Sequence, residues 1–334
     1  MEAIKKIVSI LIPSYNCGKV IYRLLDSILI QTYPYVEVII IDDGSTDNTR
    51  EVIDSYRLKF EVKNYPLKYV YQDNSGQSAA INNGLKLVNG DFIAWPDADD
   101  FYSVKWAIEK MVNVLSQDQQ TGICYCYANI FDGEKNINRI SYTNKNKTIF
   151  LDSIFGRNGF YFQPVCYMAK TSFLFQLIPD REIYYSKDAG QNWQLMLPLF
   201  YATNCVEISE YLANIYVRTD SHSRGTYLDI EKKARLLNAY YDTVRTVVQN
   251  IVMSFEEKKE LLKEIDYIFP NRLLKHYWET KDFSNFQKTY RHYSNIHTTK
   301  NKWNFFVSHI PFFRRIQFSD YRIRRLLPFL NLNR

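Results

Sequence analysis

The sequence has few of the features that mark secreted, zinc-binding or membrane-spanning proteins. Its 334 residues include five cysteines, an odd number, and Cys124-Tyr-Cys126 lacks the second pair that a structural zinc site needs. No stretch approaches the roughly 18 uninterrupted apolar residues of a spanning helix, and the N-terminus has no apolar signal segment. We therefore expect a cytoplasmic protein with reduced cysteines, neither secreted by a signal peptide nor integral to a membrane.

Internal repeats and low-complexity linkers are also missing. The composition, 46% hydrophobic and 23% charged, is that of a globular chain, long enough for one large α/β domain with an appendage or for two domains. The net charge of +6 is unevenly placed, because the segment from Arg291 to Arg334 holds nine Lys or Arg against the single Asp320. Basicity is therefore a property of the C-terminal end.

Short β-branched runs alternate with longer helical patterns from Ile7 to about Ile130. This alternation predicts βαβ units, and hence an α/β fold with a mostly parallel sheet flanked by helices. The predicted strands are Ile7 to Ile12, Val36 to Ile41, Lys68 to Gln72 and Asp91 to Trp95, and the predicted helices are Val20 to Gln31, about Thr46 to Tyr56 and about Gln77 to Val88.

Beyond these units the pattern becomes less regular. A helix after Tyr102 to about Ser116 and a strand around Ile123 to Ile130 continue the first domain, and residues 229–278 have a helical pattern. We expect a domain over residues 1–225, with halves 1–130 and 131–225, and a helical, basic C-terminal region over residues 226–334.

Three carboxylates follow the fourth predicted strand, at Asp97, Asp99 and Asp100. Negative charges so close together repel one another unless a hard divalent cation or hydrogen-bond donors neutralise them. Mg²⁺ or Mn²⁺ held by one or two carboxylates usually completes its shell with substrate phosphates. The cluster indicates a metal-assisted phosphate site, or alternatively an acidic turn followed by a helix N-cap at Ser103.

Polar loops also follow the other three strands, at Pro13-Ser-Tyr-Asn16, at Asp42 to Asp47 and at Gln72 to Gly84. Because the carboxyl ends of parallel strands meet at one sheet edge, we expect the four loops to form one ligand cleft. Its candidate groups are the Tyr15 ring for a base, the Asn16 and Asp43 side chains for a base edge, and free N–H groups at Gly76 for phosphate.

These loops, in this order and spacing, resemble the family 2 glycosyltransferases of the GT-A fold. The motifs are Ile12-Pro-Ser-Tyr-Asn16, Ile41-Asp-Asp-Gly-Ser45, Gly76-Gln-Ser-Ala-Ala-Ile-Asn-Asn-Gly84 and Asp97-Ala-Asp-Asp100. The resemblance covers roughly the first 130 residues. It implies transfer of a sugar, with inversion, from a nucleotide diphosphate-sugar, usually a UDP-sugar, with Mg²⁺ or Mn²⁺.

The resemblance also assigns roles to residues. It places Asp99 at the metal and Asp97 at the ribose or sugar of the donor. The nucleotide-sugar is expected to contact Pro13, Tyr15, Asn16, Asp43, Asn74, Gly76, Asn82, Asp97 and Arg218.

One departure from the family pattern concerns the diphosphate. The helix motif usually reads Ala-Arg-Asn, but this chain has Ile81 in place of the arginine. The segment from Tyr216 to Arg224 resembles the mobile loop that closes over the diphosphate, so Arg218 and Arg224 are candidates for the missing charge. His222 in the same segment is a candidate metal ligand or a plain surface residue.

The general base is less clear. Inverting transfer needs a carboxylate to accept the acceptor's proton, but Asn192 stands where the family has an Asp. Asp188 is our candidate, although Asp188 with Gln191 is also typical of a capping box. Gln191, Asn192 and Trp193 are expected to bind acceptor hydroxyls and stack on a sugar face.

The C-terminal end interleaves Arg with large apolar side chains, as in Tyr321-Arg-Ile-Arg-Arg-Leu-Leu. Such a segment favours docking on an anionic membrane surface, or alternatively packing on the catalytic domain. Nucleic-acid binding is not expected, because no recognition motif occurs. The expected partners are a UDP-sugar donor and a saccharide or lipid-linked saccharide acceptor.

The sequence thus predicts an inverting glycosyltransferase of bacterial surface polysaccharide synthesis, peripheral at the inner face of the cell membrane. One alternative is a sugar nucleotidyltransferase, but the Gly-rich basic loop expected after its first strand is missing at Pro13-Ser-Tyr-Asn-Cys-Gly18. The other is a degenerate, non-catalytic transferase that serves as a nucleotide-sugar or membrane-binding partner.

Overall fold

A computed structural model of the protein describes residues 5–144, 148–186, 191–217 and 229–309. The chain divides into two compact units, Met1–Leu262 and Lys263–Arg334. The strands are β1 (Val8–Ser14), β2 (Val36–Asp43), β3 (Leu67–Gln72), β4 (Phe92–Ala94), β5 (Phe101–Tyr102), β6 (Thr121–Asp132), β7 (Lys135–Ile140), β8 (Tyr167–Lys170) and β9 (Asn204–Val217).

Helices precede and follow these strands throughout the first unit and make up the described part of the second. They are α1 (Ile21–Leu29), α2 (Thr49–Val62), α3 (Gln77–Leu85), α4 (Ala107–Gln117), α5 (Ile149–Phe155), α6 (Thr171–Leu177), α7 (Gln191–Ala202), α8 (Ile230–Asn250), α9 (Phe255–Glu279), α10 (Phe283–His292) and α11 (Thr299–Ser308).

The described strands form one mixed sheet in the order β3-β2-β1-β4-β8-β6-β9-β5, with β7 paired to β6. Strands β1 to β4 are parallel, β8 is antiparallel to both β4 and β6, and β9 is parallel to β6. The carboxyl ends of β1, β2, β3, β4, β6 and β9 therefore lie at the same sheet edge. The polar loops of the sequence converge there, as a parallel α/β arrangement requires.

Apolar side chains on both faces hold the centre of this sheet. Every residue of β1 and β2 is buried, which explains why these strands appear in the sequence as continuous runs of Val, Ile and Leu. The edge strand β3 is only partly covered. Helix α1 packs Leu24, Leu25 and Ile28 into the core, as its helical spacing predicts.

The predicted helix after Tyr102 begins later than expected. Phe101 and Tyr102 form β5, which is antiparallel to Asn214 and Ala213 of β9, and helix α4 has Trp106 at its N-cap. Ser103 does not cap the helix, because its hydroxyl donates to the Tyr211 carbonyl at 2.6 Å. Pairing with a strand more than 100 residues away therefore replaces the local N-cap.

Gly84 allows α3 to pack closely against β1. A Cβ atom at this position would lie 2.1 Å from Cδ1 of Leu11, which is fully buried. We expect Gly84→Ala to lower the free energy of unfolding by about 1–2 kcal/mol, because overpacking of the core exceeds the gain in helix propensity.

Chemical denaturation measures this loss. The control is Gly84→Ala in a Leu11→Val background, which removes the crowded methyl position and should reduce the cost. An equal cost in both backgrounds would contradict the packing explanation.

The described part of the second unit consists of helices joined by short connections. Asn301 of α11 donates to Asn271 Oδ1 of α9 and to the Ile296 carbonyl, both at 2.7 Å. In the parts of the chain that the structure describes, no helix is long and apolar enough to cross a membrane. The tail at residues 310–334, on which the membrane prediction depends, lies outside the described residues.

Candidate nucleotide-sugar site

Asp43 ends β2 at the carboxyl edge of the sheet and is only 4% exposed. Its Oδ1 accepts hydrogen bonds from Gln72 Nε2 at 2.7 Å and from the Ser75 N–H at 2.8 Å, and its Oδ2 accepts from the Gly76 N–H at 2.8 Å. The carboxylate therefore fixes the loop between β3 and α3. The free N–H that we expected at Gly76 is used by Asp43.

A chain of amide side chains supports this carboxylate. Asn83 Nδ2 donates to Gln72 Oε1 at 2.6 Å, and Gln72 in turn donates to Asp43. The contact from Asn83 fixes which end of the Gln72 amide faces Asp43. Neither Gln72 nor Asn83 was a predicted site residue, since nothing local distinguishes them from other polar loop residues.

Helix α3 also connects Asp43 to the acidic loop. Gly76, which donates to Asp43, is the N-cap of this helix with φ +87°, a left-handed conformation that favours glycine. The next residue, Gln77, donates from Nε2 to Asp97 Oδ1 at 2.9 Å. The first turn of α3 thus holds a carboxylate from the end of β2 and another from the loop after β4.

The acidic loop after β4 contains three carboxylates with different environments. Asp97 and Asp99 are partly exposed, whereas Asp100 is 3% exposed. Asp100 Oδ1 accepts from the Tyr216 N–H at 3.1 Å, near the end of β9. Asp100 therefore ties the acidic loop to the neighbouring strand end, a role that sequence analysis did not foresee.

The carboxyl pKa values in this loop reflect burial and mutual repulsion. Burial, followed by the charge of Asp99, raises the pKa of Asp97 to about 7, against a smaller opposing effect of the Gln77 hydrogen bond. Burial and the charges of Asp99 and Asp97 raise the pKa of Asp100 well above its ordinary value. Burial and mutual repulsion thus favour the protonated forms of Asp97 and Asp100 over a fully ionised cluster.

The raised pKa of Asp97 predicts a pH-dependent stability. Between about pH 4 and pH 7 the folded protein retains a proton that the unfolded chain releases, so this group lowers stability as pH rises. In metal-free buffer, Asp97→Asn should be more stable than the wild type by up to about 4 kcal/mol at pH 8, and equal to it near pH 4, because each unit of pKa shift corresponds to about 1.4 kcal/mol.

Denaturant titrations of both proteins across this pH range test the prediction. Comparing the two proteins cancels the titrating groups that do not interact with Asp97, whereas the loss of its charge also lowers the pKa of Asp100. Asp54→Asn on the surface of α2 is the control, since ion pairs of Asp54 with Arg50 and Arg57 are exposed and such pairs contribute little. A difference between wild type and Asp97→Asn that does not vary with pH would contradict the shifted pKa.

The predicted nucleoside residues lie at the ends of β1 and β3. Pro13 is buried within β1, Tyr15 is 52% exposed, and Asn74 is exposed in the β3–α3 loop. Asn16 has φ +47° and its Oδ1 accepts from the Thr46 N–H at 2.8 Å. The oxygen expected to contact a base edge is thus bonded to the loop after β2, whereas the Tyr15 ring remains accessible.

Asn82 also has a contact that differs from the expected one. Its Nδ2 donates to the Ile183 carbonyl at 3.0 Å, and its Oδ1 accepts from the Ile183 N–H at 2.8 Å. One turn earlier, Ser78 Oγ donates to the Ser186 carbonyl at 3.0 Å. Helix α3 therefore anchors residues 183–186, which lead directly to Asp188.

Four of the predicted site residues lie outside the described part of the structure. The candidate base Asp188 and the loop residues Arg218, His222 and Arg224 fall in residues 187–190 and 218–228. Gln191 begins α7, but its side chain is also outside the described atoms. Their roles stay predictions.

The predicted acceptor residues Asn192 and Trp193 lie in the first turn of α7. The Trp193 ring contacts Phe162 and Tyr240 edge-on, with centroids 5.1 and 4.7 Å away, and its Nε1 donates to the Ser153 carbonyl at 3.0 Å. Trp193 thus packs between other aromatic rings. Asn192 Oδ1 is buried without a hydrogen-bond partner among the described residues.

The donor set of the acidic loop suits a hard cation. Carboxylate oxygens are the ligands that Mg²⁺ and Mn²⁺ prefer, and one or two of them suffice when phosphates complete the shell. Within residues 5–144, 148–186, 191–217 and 229–309, no group of three His, Cys, Asp or Glu could hold a metal alone. Asp99 and the partly exposed Asp97 are the residues that fit.

Comparison with known proteins agrees with this arrangement. Residues 9–176, about half of the chain, match the family described as Glycosyl transferase family 2. An uncharacterised glycosyltransferase of Mycoplasma genitalium is 32% identical over 46% of this chain and 47% of its own length. Another, from Nostoc sp., is 33% identical over 40% of each chain. The matches thus cover less than half the length of these relatives.

Solved structures show a similar fold. TarS of Staphylococcus aureus, in complex with UDP-GlcNAc, has a TM-score of 0.59 at 17% identity, covering 90% of this chain and 79% of that chain. The mannosyltransferase PcManGT of Pyrobaculum calidifontis, with GDP-Man and Mn²⁺, has a TM-score of 0.55 at 15% identity, covering 92% and 82%. These similarities confirm the predicted GT-A fold, and the family match over residues 9–176 shows that the chain belongs to glycosyl transferase family 2.

Proposed function

We propose that this protein is a metal-dependent, inverting glycosyltransferase that moves a sugar from a UDP-sugar to a saccharide acceptor. The observation that carries the proposal is the pair of carboxylate sites on either side of β1 at one sheet edge, Asp43 at the end of β2 and the acidic loop after β4. Gly76 and Gln77 of α3 hold both. If the base of a nucleotide binds at Asp43, its diphosphate would point toward the acidic loop.

The roles within this site follow from the chemistry of each group. The exposed ring of Tyr15 offers a stacking face for the nucleobase, and Asp43 accepts hydrogen bonds from the base. Asp97 contacts the ribose or sugar, and Asp99 holds Mn²⁺ or Mg²⁺. When bound, such a cation acts as a Lewis acid that stabilises the departing diphosphate.

Two structural neighbours support this choice of ligand. TarS was solved with UDP-GlcNAc and PcManGT with GDP-Man and Mn²⁺. Both ligands are nucleotide diphosphate-sugars. We favour UDP-sugars for this chain, and the choice between uridine and guanosine is part of the test below.

The base of the reaction in this proposal is Asp188. Ser78 and Asn82 of α3 donate hydrogen bonds to Ser186 and Ile183. The residues that precede Asp188 in the sequence are therefore bound to the helix whose first turn also contacts Asp43 and Asp97. A carboxylate there would take the proton of the acceptor hydroxyl as the new bond forms. Asp188→Asn should abolish transfer while leaving donor binding intact.

The test of the function is release of nucleoside diphosphate. Wild-type protein with Mn²⁺ should release UDP from at least one UDP-sugar, and that donor should raise the melting temperature by mass action. Stabilisation by a UDP-sugar without UDP release, even with saccharide acceptors present, would favour the non-catalytic alternative. Stabilisation by GDP-sugars alone would show that the donor is a GDP-sugar and not a UDP-sugar.

The acceptor and location form a separate part of the proposal. The basic C-terminal end suggests a lipid-linked saccharide acceptor at the inner face of a bacterial cell membrane, in surface polysaccharide synthesis. Full-length protein should float with vesicles that contain anionic phosphatidylglycerol and not with neutral phosphatidylcholine vesicles. Equal behaviour with both would remove the membrane role and leave the donor chemistry standing.

A further inference from the structure

An arginine that was not among the predicted site residues contacts Tyr216, the residue whose backbone ties the acidic loop to the end of β9. Arg23 is in the first turn of α1, and its guanidinium carbon lies 4.0 Å from the centroid of the Tyr216 ring. The backbone N–H of Tyr216 donates to Asp100. Arg23 therefore contacts the same residue that ties the acidic loop to the end of β9.

The register of α1 places Arg23 at the carboxyl edge of the sheet. Ser27, one turn later on the same helix face, accepts from the Tyr102 N–H at 3.1 Å. Helix α1 follows β1 and runs back from that edge, so Arg23 lies about one helical pitch, ~5.4 Å, nearer the edge than Ser27. Because Asp100 precedes Tyr102 by two residues, Arg23 is level with the acidic loop.

One donor of this guanidinium lacks an acceptor. Nη1 of Arg23 is buried and has no hydrogen-bond partner in the described part of the chain. Stacking on the Tyr216 ring uses the face of the guanidinium and leaves its in-plane N–H groups available. A buried, charged donor of this kind indicates that an anionic group completes the site.

We propose that Arg23 binds the diphosphate of the nucleotide-sugar. Where they are ionised, the carboxylates of the acidic loop repel a diphosphate, and the Arg23 guanidinium supplies a positive charge at the same sheet edge that can bind phosphate oxygens through two N–H groups. The Tyr216 ring holds the side chain in position before the donor arrives, which reduces the entropy lost on binding. This inference rests on the proposed function.

A purely structural role for Arg23 makes a different prediction. If the side chain only held Tyr216 and the end of β9, its loss would weaken every ligand of the cleft alike. A phosphate-binding role weakens ligands in proportion to their phosphates. Uridine, UMP and UDP share one base and ribose, so they separate the two cases.

The experiment measures the affinity of full-length protein for these three ligands by calorimetry in buffer with Mn²⁺. Arg23→Gln should weaken UDP binding at least tenfold, weaken UMP binding less, and change uridine binding less than twofold. The matched control is Arg57→Gln on α2, whose guanidinium is half exposed and pairs with Asp54. It should bind all three ligands as the wild type does.

A second variant covers the case in which Arg23→Gln does not fold. Arg23→Lys keeps the charge but loses the planar guanidinium, so it should retain part of the UDP affinity and all of the uridine affinity. Equal losses for all three ligands, or no loss for UDP, would overturn the inference alone. Wild-type protein that binds neither uridine nor UDP would overturn the proposed function, and this inference with it.

Discussion

Asp99→Asn is expected to lower the rate of UDP release from the donor about 1,000-fold. In the proposed site, Asp99 is one of the few protein ligands of the cation, and the rest of the shell comes from the diphosphate. Loss of that charge removes several kcal/mol of stabilisation from the departing diphosphate, and about 4 kcal/mol corresponds to a thousandfold slower step. Asn has nearly the same size, and Asp99 is partly exposed, so the fold should tolerate the change.

The measurement is UDP release from whichever UDP-sugar the wild type turns over fastest, over a range of Mn²⁺ concentrations. Asp54→Asn, on the surface of α2, is the matched control and should keep the wild-type rate. A rate for Asp99→Asn within threefold of the wild type would show that Asp99 does not hold a catalytic cation. Uridine binding should be unchanged in both variants, because no phosphate is involved.

The sheet edge could be predicted from the sequence because each part of it is local. The first four strands are short apolar runs, and the polar residues that follow them mark their ends. Strands β1 to β4 begin and end within one to two residues of the predicted positions. The structure therefore also confirms that Asp43 and the acidic loop lie at one sheet edge. Parallel pairing, which the alternation with helices implies, supplies the rest.

The hydrogen-bond partners could not be predicted in this way. Asn82 bonds Ile183 across 101 residues, and Asp100 bonds Tyr216 across 116. Nothing near either residue in the sequence specifies such a partner. The same applies to Arg23, which occupies a helix position typical of a surface residue and contacts Tyr216 only because β9 ends beside α1.

The short strand β5 was missed for a related reason. Phe101 and Tyr102 are too few to give an alternating pattern, and only their pairing with β9 makes them a strand. That pairing follows the acidic loop directly, so it limits where Asp99 and Asp100 can lie. The sequence predicted that a helix follows Tyr102 directly, because helix propensity does not account for tertiary pairing.

Asp43→Asn is expected to lower both donor affinity, about 100-fold, and the free energy of unfolding, by about 1–3 kcal/mol. The amide keeps one acceptor oxygen but turns an NH₂ group toward either the Gly76 N–H or the donors of Gln72 and Ser75. At least one buried donor then loses its acceptor. The displaced β3–α3 loop carries Gly76 and Gln77, so the effect should extend to the contact between Gln77 and Asp97.

Two measurements separate the direct and indirect parts of this effect. Gln72→Ala removes one hydrogen bond to Asp43 but retains the carboxylate, so it should cost stability with a smaller loss of affinity, about tenfold. If Asp43 only braced the loop, both variants would lose affinity in proportion to stability. We expect Asp43→Asn to lose more uridine affinity, relative to its loss of stability, than Gln72→Ala does, because the carboxylate also contacts the nucleobase. Uridine titrations beside denaturant unfolding of both variants decide between these outcomes, and since uridine has no phosphates they do so independently of the cation and of Arg23.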